Sequence, residues 1–284
     1  MAPPGKSGKT LPPGAVEYEF GVPVPGVILP PEEWTPSALK QWPAEGPLDW
    51  QAVFGRRAPV VLDLGCGNGR SVLLSAIRRP NYDHLGVDNL PVVVRYARKR
   101  ARQRGLANVR FAVGDARLVV SRYLAPGSVA EVHVYHPQPY YDPAQVGLRL
   151  ITPRFLLHVH GALRSGGLLV LQTDNPAYWR YILQVAPAFF DFRECHGLQP
   201  DAPHGRTRRE IIARLRGLPV FRGRGKARAD IDPQEAWRVA EALPPPVFDA
   251  DRRLLELDEL ERQQHHDGLP GSRAAGHRRQ GGSL

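Results

Sequence analysis

The chain has 284 residues, 42% of them hydrophobic, and 38 Lys+Arg against 28 Asp+Glu give a formal net charge of +10. That length and apolar content suit one large domain or two small ones, and the excess cation, nearly all arginine, favours a polyanionic partner. Two cysteines, Cys66 and Cys195, exclude a disulfide framework and an all-cysteine zinc site, and no apolar run approaches the roughly 18 residues of a membrane span.

Gly 28 and Pro 29 make up a fifth of the chain, against about 12% in ordinary domains, so long loops are expected. Residues 1–57 show no sustained period of 2 or 3.6; their prolines predict an extended arm, with Tyr18, Phe20, Trp34, Trp42 and Trp50 as aromatic anchors. Met1 to Gly14 lacks the apolar stretch of a signal peptide. Val60 to Leu64 is a short apolar run ended by glycines, which predicts a strand buried on both faces. A helix over Ser71–Arg79 and a second strand at Leu85–Val87 follow. Pro91 opens a helix that runs to Arg104, with Gly105 placed to end it. Strands at Val109–Val113, Val132–Tyr135 and Leu168–Thr173 alternate with helices at Ala116–Tyr123, Pro153–Leu163 and Pro176–Val185. This alternation predicts a doubly wound α/β sheet over residues 58–224. Beyond it, Arg209–Arg216 fits either helix or strand. In residues 225–284, Asp249–His266 reads as an acidic amphipathic helix and Gly268–Leu284 as a disordered tail. His265 and His266 have no further metal-spaced partner, so no metal site is expected, and no internal repeat is visible.

The first strand runs into Gly65-Cys66-Gly67-Asn68-Gly69, a G-x-G-x-G turn that lets a ligand approach the backbone at a strand's carboxyl end. A dinucleotide fingerprint needs its third glycine at position 70, where Arg70 stands, which disfavours NAD and FAD. Asp88 closes the second strand 23 residues after Gly65, placed to accept from a ribose diol. Asp115 closes the third strand and suits either an adenine amino group or the N-cap of the next helix. Asp63 sits beside the glycine turn. Together these residues resemble the class I S-adenosylmethionine-dependent methyltransferases. The resemblance implies a Rossmann-like, mostly parallel seven-stranded sheet. It also implies cofactor contacts from Asp63, Gly65, Gly67, Gly69, Asp88, Asn89, Asp115 and Ala116.

A narrower resemblance covers residues 49–222. Asp49-Trp50-Gln51-Ala52-Val53-Phe54-Gly55, Pro91-Val92-Val93-Val94, Asn108-Val109-Arg110-Phe111, Gly114-Asp115-Ala116 and Arg149-Leu150-Ile151-Thr152-Pro153-Arg154-Phe155-Leu156 occur in one order. Gly166-Gly167-Leu168, Thr173-Asp174 with Tyr178, and Thr207-Arg208-Arg209-Glu210 with Gly217 continue it. That ordered set is similar to the tRNA (guanine-N7-)-methyltransferase family. It implies a cytoplasmic enzyme that methylates guanine N7 in the tRNA variable loop, with Asp174, Thr207 and Glu210 on the guanine side. From the residues alone, Asp174 could instead cap the helix at Pro176, and Glu210 could pair with a nearby arginine.

One segment departs from the family. Where it carries P-D-P-W and a basic run, this chain has His136-Pro137-Gln138-Pro139-Tyr140-Tyr141 followed by Asp142-Pro143-Ala144-Gln145. Gln138 thus replaces the aspartate that is the family's catalytic candidate, and Asp142 is the nearest acid. Guanine N7 already carries a lone pair, so transfer needs alignment and stabilisation of a cationic purine rather than a base. Two other readings stand beside this one: a methyltransferase with a different acceptor, and a tRNA-binding homologue without turnover. Arg206–Arg228 holds nine basic residues and one acid, and Arg95, Arg98, Lys99, Arg100, Arg102 and Arg104 stud the Pro91 helix. Both runs are candidate phosphate contacts, or simply solvated faces. Phe221 could stack on a base, though a core position fits it better. Oligomeric state is not legible.

Overall fold

The computed structural model describes residues 11–259. Its core is a seven-stranded sheet built from β3 (Val60–Leu64), β4 (Asp83–Asp88), β5 (Val109–Val113), β6 (Val129–Tyr135), β7 (Leu163–Thr173), β8 (Phe190–Glu194) and β9 (Phe221–Ala227). The order is β5-β4-β3-β6-β7-β9-β8, and β9 alone runs antiparallel to its neighbours. Buried Val60, Val61, Leu62 and Leu64 make β3 apolar on both faces, as a central parallel strand requires. Between β3 and β6 the connections turn in opposite directions, which opens a crevice at the strands' carboxyl ends.

Helices α2 (Arg70–Arg78) and α3 (Pro91–Gln103) cover one face of β3–β5, with Leu73, Ala76, Val94, Ala97 and Phe111 as a dry layer. Helices α5 (Pro153–Ala162) and α6 (Pro176–Val185) cover the other face over β6 and β7. Their starts are fixed locally: Thr152 accepts from the Phe155 amide, and the Asn175 carboxamide accepts from those of Ala177 and Tyr178. Gly105, at φ 62°, ends α3 where expected. The helix expected over Ala116–Tyr123 is one α turn, α4 (Ala116–Leu118), continued by a π turn at Val119–Tyr123. Arg209–Arg216 resolves as helix, α7 (Arg208–Leu215), capped by Thr207.

Three features exceed the sequence reading. The 11–57 arm contains a two-residue hairpin, β1 (Tyr18–Glu19) and β2 (Val22–Pro23), and a short helix, α1 (Trp50–Phe54). The arm also pairs with the sheet: the Leu39 amide donates to Phe111, whose own amide donates to Ser37, so the β5 edge is covered. Of the expected anchors, Trp42 stacks on Tyr123 and Trp34 lies under Arg102, whereas Tyr18 is exposed. At the other end, β9 runs through the expected boundary at 224, and α8 (Pro233–Ala242) packs on α5. The stretch expected as an acidic helix shows a 3-10 turn at Arg252–Leu254 leading into helix to 259. The rest of it, His265, His266 and the expected tail lie outside the described residues.

Strand β9 carries glycine on alternate positions for a steric reason. A Cβ at Gly223 would stand 2.6 Å from the Phe192 ring and 2.9 Å from that of Trp179. Gly223→Ala is therefore expected to destabilise the fold by about 1–3 kcal/mol. In urea unfolding this would lower the midpoint without changing the slope. Phe221 stacks on Trp179 at 6.1 Å between ring centroids, so it belongs to this aromatic layer.

Candidate active site

The carboxyl ends of β3, β4, β5, β6 and β7 converge on the crevice, and each delivers one element of the site. After β3, Gly65, Gly67 and Gly69 take φ of 81°, 51° and 78°, which only glycine adopts without strain. Their spatial roles differ. A Cβ on Gly65 or Gly67 would meet open space, so the backbone there is approachable. At Gly69 it would strike Phe111 and Ala97, so this glycine closes α2 onto the sheet.

Asp63, one residue before the end of β3, is buried, and its Oδ1 has no hydrogen-bond partner. Burial, reinforced by the negative charge of Asp88, pushes its carboxyl up to about 7 despite the positive charge of Arg206 and a hydrogen bond from Ser71. A buried carboxylate with one oxygen left unpaired, beside an approachable glycine turn, is suited to a cationic group. Asp88 turns into the same space. Its Oδ2 accepts from the Gly67 amide at 2.9 Å and its Oδ1 from Leu90 at 2.9 Å, which leaves lone pairs on both oxygens for a diol. Asn89 is exposed next to it. Asp115 caps α4 through the Arg117 and Leu118 amides and pairs with the Arg117 guanidinium at 3.2 Å, so the capping role is realised. Ala116 is half-buried beside it.

Beyond β6 and β7 the site continues as a buried polar network. His136 follows β6 at φ 51°, a left-handed conformation unusual for a residue with a side chain. Its Nδ1 lies 3.2 Å from Asp174 and its Nε2 3.0 Å from the Gln172 amide nitrogen, which also donates to Glu210 at 3.0 Å. With the Gln172 amide donating on both sides, His136 must carry its proton on Nδ1 toward Asp174. Asp174 also accepts from Arg209 at 2.7 Å, and Arg209 reaches Asp258 at 2.6 Å. Burial alone would raise the Asp174 carboxyl, but His136 and Arg209 outweigh it and hold it well below the usual range. Glu210, fully buried, accepts from Gln172, from Arg214 at 2.6 Å and from the Arg206 amide; these overcome burial and keep it ionised. Thr207 caps α7 through the Glu210 amide.

Asn175, not Asp174, caps α6, and Glu210 does pair with a neighbouring arginine. The three residues expected on the guanine side thus stand together, but as members of one internally bonded network rather than as free acceptors. Gln138 is exposed at the tip of the loop after β6, and Asp142 caps the 3-10 turn Pro143–Leu148. That loop is clamped from beneath by buried Arg149, which donates to the carbonyls of Pro139 at 2.6 Å and Tyr140 at 2.9 Å.

The arm closes the remaining side. Glu19 accepts from Asn68 in the glycine turn at 2.6 Å, and Phe20 lies under the Arg208 guanidinium at the start of α7, 5.3 Å away. The hairpin therefore bridges the glycine turn and the start of α7. This changes the reading of the basic helix. Arg100 and Arg104 are buried against Glu17, and Arg98 donates to the Phe111 and Leu39 carbonyls. Arg95, Lys99 and Arg102 remain exposed. Sequence reasoning missed His136, Gln172 and Arg209 as site residues. A polar glutamine inside the apolar run Leu168–Thr173 was the available signal. Among the described residues, no group of three or more His, Cys, Asp and Glu could hold a metal ion, and no helix is long and apolar enough to cross a membrane.

A sheet in this order, with a glycine turn and carboxylates at the tips of β3, β4 and β5, defines a class I S-adenosylmethionine-dependent methyltransferase. The 16S rRNA methyltransferase KamB shares the fold, with a TM-score of 0.51 and 18% identity over 68% of this chain and 98% of KamB. A family model described as a putative methyltransferase matches residues 57–217. The chain is 34% identical over 185 residues to the tRNA (guanine-N(7)-)-methyltransferase of Alkalilimnicola ehrlichii, covering 65% of this chain and 78% of the relative. The same-named protein of Thermus thermophilus is 35% identical over 151 residues, 53% of this chain and 47% of the relative. That of Burkholderia cenocepacia is 34% identical over 157 residues, 55% and 61% respectively. The chain thus spans about half to three fifths of the latter two. It belongs to the tRNA (guanine-N7-)-methyltransferase family.

Proposed function

We propose that this protein transfers a methyl group from S-adenosylmethionine to N7 of a guanine in the tRNA variable loop, in the cytoplasm. The observation that carries the reading is the buried Asp63 carboxylate, its Oδ1 without a partner, beside the open glycine turn and at the same end of the sheet as the His136–Asp174–Glu210 network.

The residues fit the cofactor. Asp63 would hold the ammonium of its amino-acid tail, Gly65 and Gly67 would admit it to the backbone, and Asp88 would take the ribose hydroxyls. Asn89, Asp115 and Ala116 would line the adenine. When bound, S-adenosylmethionine supplies an electrophilic methyl on a sulfonium. Guanine N7 offers its lone pair without losing a proton, so the chain's task is placement and exclusion of water. His136 and Asp174 fix the wall against which the purine would lie, Thr207 and Glu210 anchor α7 behind it, and Gln138 presents a dipole at its rim. The test is incubation with tRNA and labelled cofactor followed by nucleoside mapping. 7-Methylguanosine is expected, and tRNA left without label defeats the reading.

Gln138 offers less to a developing purine cation than a carboxylate would. Because the side chain is exposed, Gln138→Asp should leave stability within about 0.5 kcal/mol of the parent. It should raise the single-turnover rate, on the order of tenfold. An unchanged or lower rate would exclude Gln138 from the acceptor site.

A further inference from the structure

The register places a row of cations on the outer part of one sheet face, beyond the helices that cover the rest of it. On β9, Gly223 and Gly225 face the aromatic layer under α6, so Arg222, Arg224 and Lys226 face the opposite side. Pairing carries that face across the sheet: Asp63 stands beside His133, His133 beside Val170, Val170 beside Arg224, and Arg224 beside Arg193 of β8. Over β3–β5 this face lies under α2 and α3. Toward β8 the cover ends: Leu168 and Val170 are half-buried although central in the sheet, and Arg193, Arg224 and Lys226 are exposed.

These cations are not consumed internally. Of the nine basic residues in Arg206–Arg228, Arg206, Arg209, Arg214 and Arg228 are tied to Asp201, Asp174, Glu210 and Asp230, and Arg208 covers Phe20. Among the described residues, Arg193, Arg224 and Lys226 form no ion pair, and Arg222 reaches only the Gly197 carbonyl at 3.5 Å. The register sets Arg193 directly opposite Arg224, a like-charge cross-strand pair that destabilises a sheet unless an anion lies across it. Asp191, opposite Lys226, is the acid at the lower end of this edge. Alternate residues on a strand stand about 6.7 Å apart, a spacing that can follow successive phosphates. At about 4.8 Å per strand, Arg224 lies about 14 Å from Asp63 on the same face. The loop after β6, by contrast, has no cation from 137 to 148, and Arg149 is buried.

We propose that Arg193, Arg222, Arg224 and Lys226 form the track that grips the tRNA phosphodiester backbone beside the target nucleotide, in place of a basic acceptor loop. This rests on the reading of the protein as a tRNA methyltransferase and names where that substrate is held. The test measures tRNA affinity against NaCl for the full chain and for Arg193→Ser/Arg224→Ser/Lys226→Ser. Each lost phosphate contact should lower the log–log salt slope by about 0.7–0.9, so a fall of about 2–2.7 is expected for three, with affinity down on the order of tenfold or more. S-adenosylmethionine affinity should stay at the parent value, which also shows that the variant folds. The charge-conserving Arg193→Lys/Arg224→Lys/Lys226→Arg should retain the parent slope. An unchanged slope in the serine variant overturns the track, as does binding to anionic phosphatidylserine vesicles in preference to tRNA. If the parent forms 7-methylguanosine while the serine variant keeps its slope, the track fails and the function stands. If the slope falls as expected but the parent forms no 7-methylguanosine, the function fails and the track stands.

Discussion

Asp63→Asn is expected to raise stability at pH 8 while abolishing S-adenosylmethionine binding. In the folded chain without ligand, burial and Asp88 bring this carboxyl to about 7, against 3.8 for a free one. The folded state therefore binds the proton more tightly than the unfolded state, and stability is lost as pH rises from about 4 through about 7. At about 1.4 kcal/mol per pH unit the loss reaches on the order of 4 kcal/mol above pH 8. The asparagine keeps the shape and carries no charge, so it escapes that loss; calorimetric unfolding at pH 5 and pH 8 should show the variant gaining on the parent only at the higher pH. Binding runs the other way. A cationic ligand prefers the ionised carboxylate, so parent affinity should climb about tenfold per unit up to pH 7 and level off beyond it. A variant that binds like the parent, or a parent whose affinity ignores pH, would remove Asp63 from the cofactor site.

Much of this molecule is legible in its sequence, for reasons that also explain what is not. Strands β3, β5 and the end of β7 are short apolar runs closed by glycine or acid, and helices α3 and α6 open on proline; such local signals survive folding unchanged. Strand β9 is invisible to the same logic. Phe221-Arg222-Gly223-Arg224-Gly225-Lys226 has the composition of a loop, because its glycines answer to Phe192 and Trp179, contributed by segments distant in sequence. The candidate site divides in the same way. Asp63, Asp88 and the glycine turn are set by position along the strands. The buried polar network depends on which strand tips meet: Asp174 and Glu210 become one unit only because Gln172 and His136 lie between them.

The basic helix shows the same limit, and Arg100 is where it can be tested. From sequence Arg100 is one of six cations on a helix; in the fold it is 1% exposed, with Glu17 at 2.7 Å, Glu19 at 2.8 Å and the Tyr96 ring 4.3 Å from its guanidinium carbon. Burial would raise the Glu17 carboxyl, but Arg100 overrides it and holds it below the usual range. Arg100→Met leaves two nearly dry carboxylates with too little positive charge, and removing one partner of a buried pair costs about 3–5 kcal/mol. The sign with pH follows. Freed of Arg100, Glu17 should titrate above its unfolded value, so the deficit of the variant should widen as pH rises from 4 to 8 and shrink in acid. Adding Glu17→Leu and Glu19→Gln should recover most of the loss, since a neutral cluster needs no counter-charge. Because Glu19 also holds Asn68 in the glycine turn, Arg100→Met alone should release the arm, exposing its one trypsin site, Lys40, to early cleavage and weakening cofactor binding. Urea unfolding within 1 kcal/mol of the parent, with unchanged proteolysis, would mean that the aromatic anchors Trp34 and Trp42 hold the arm without the ion cluster.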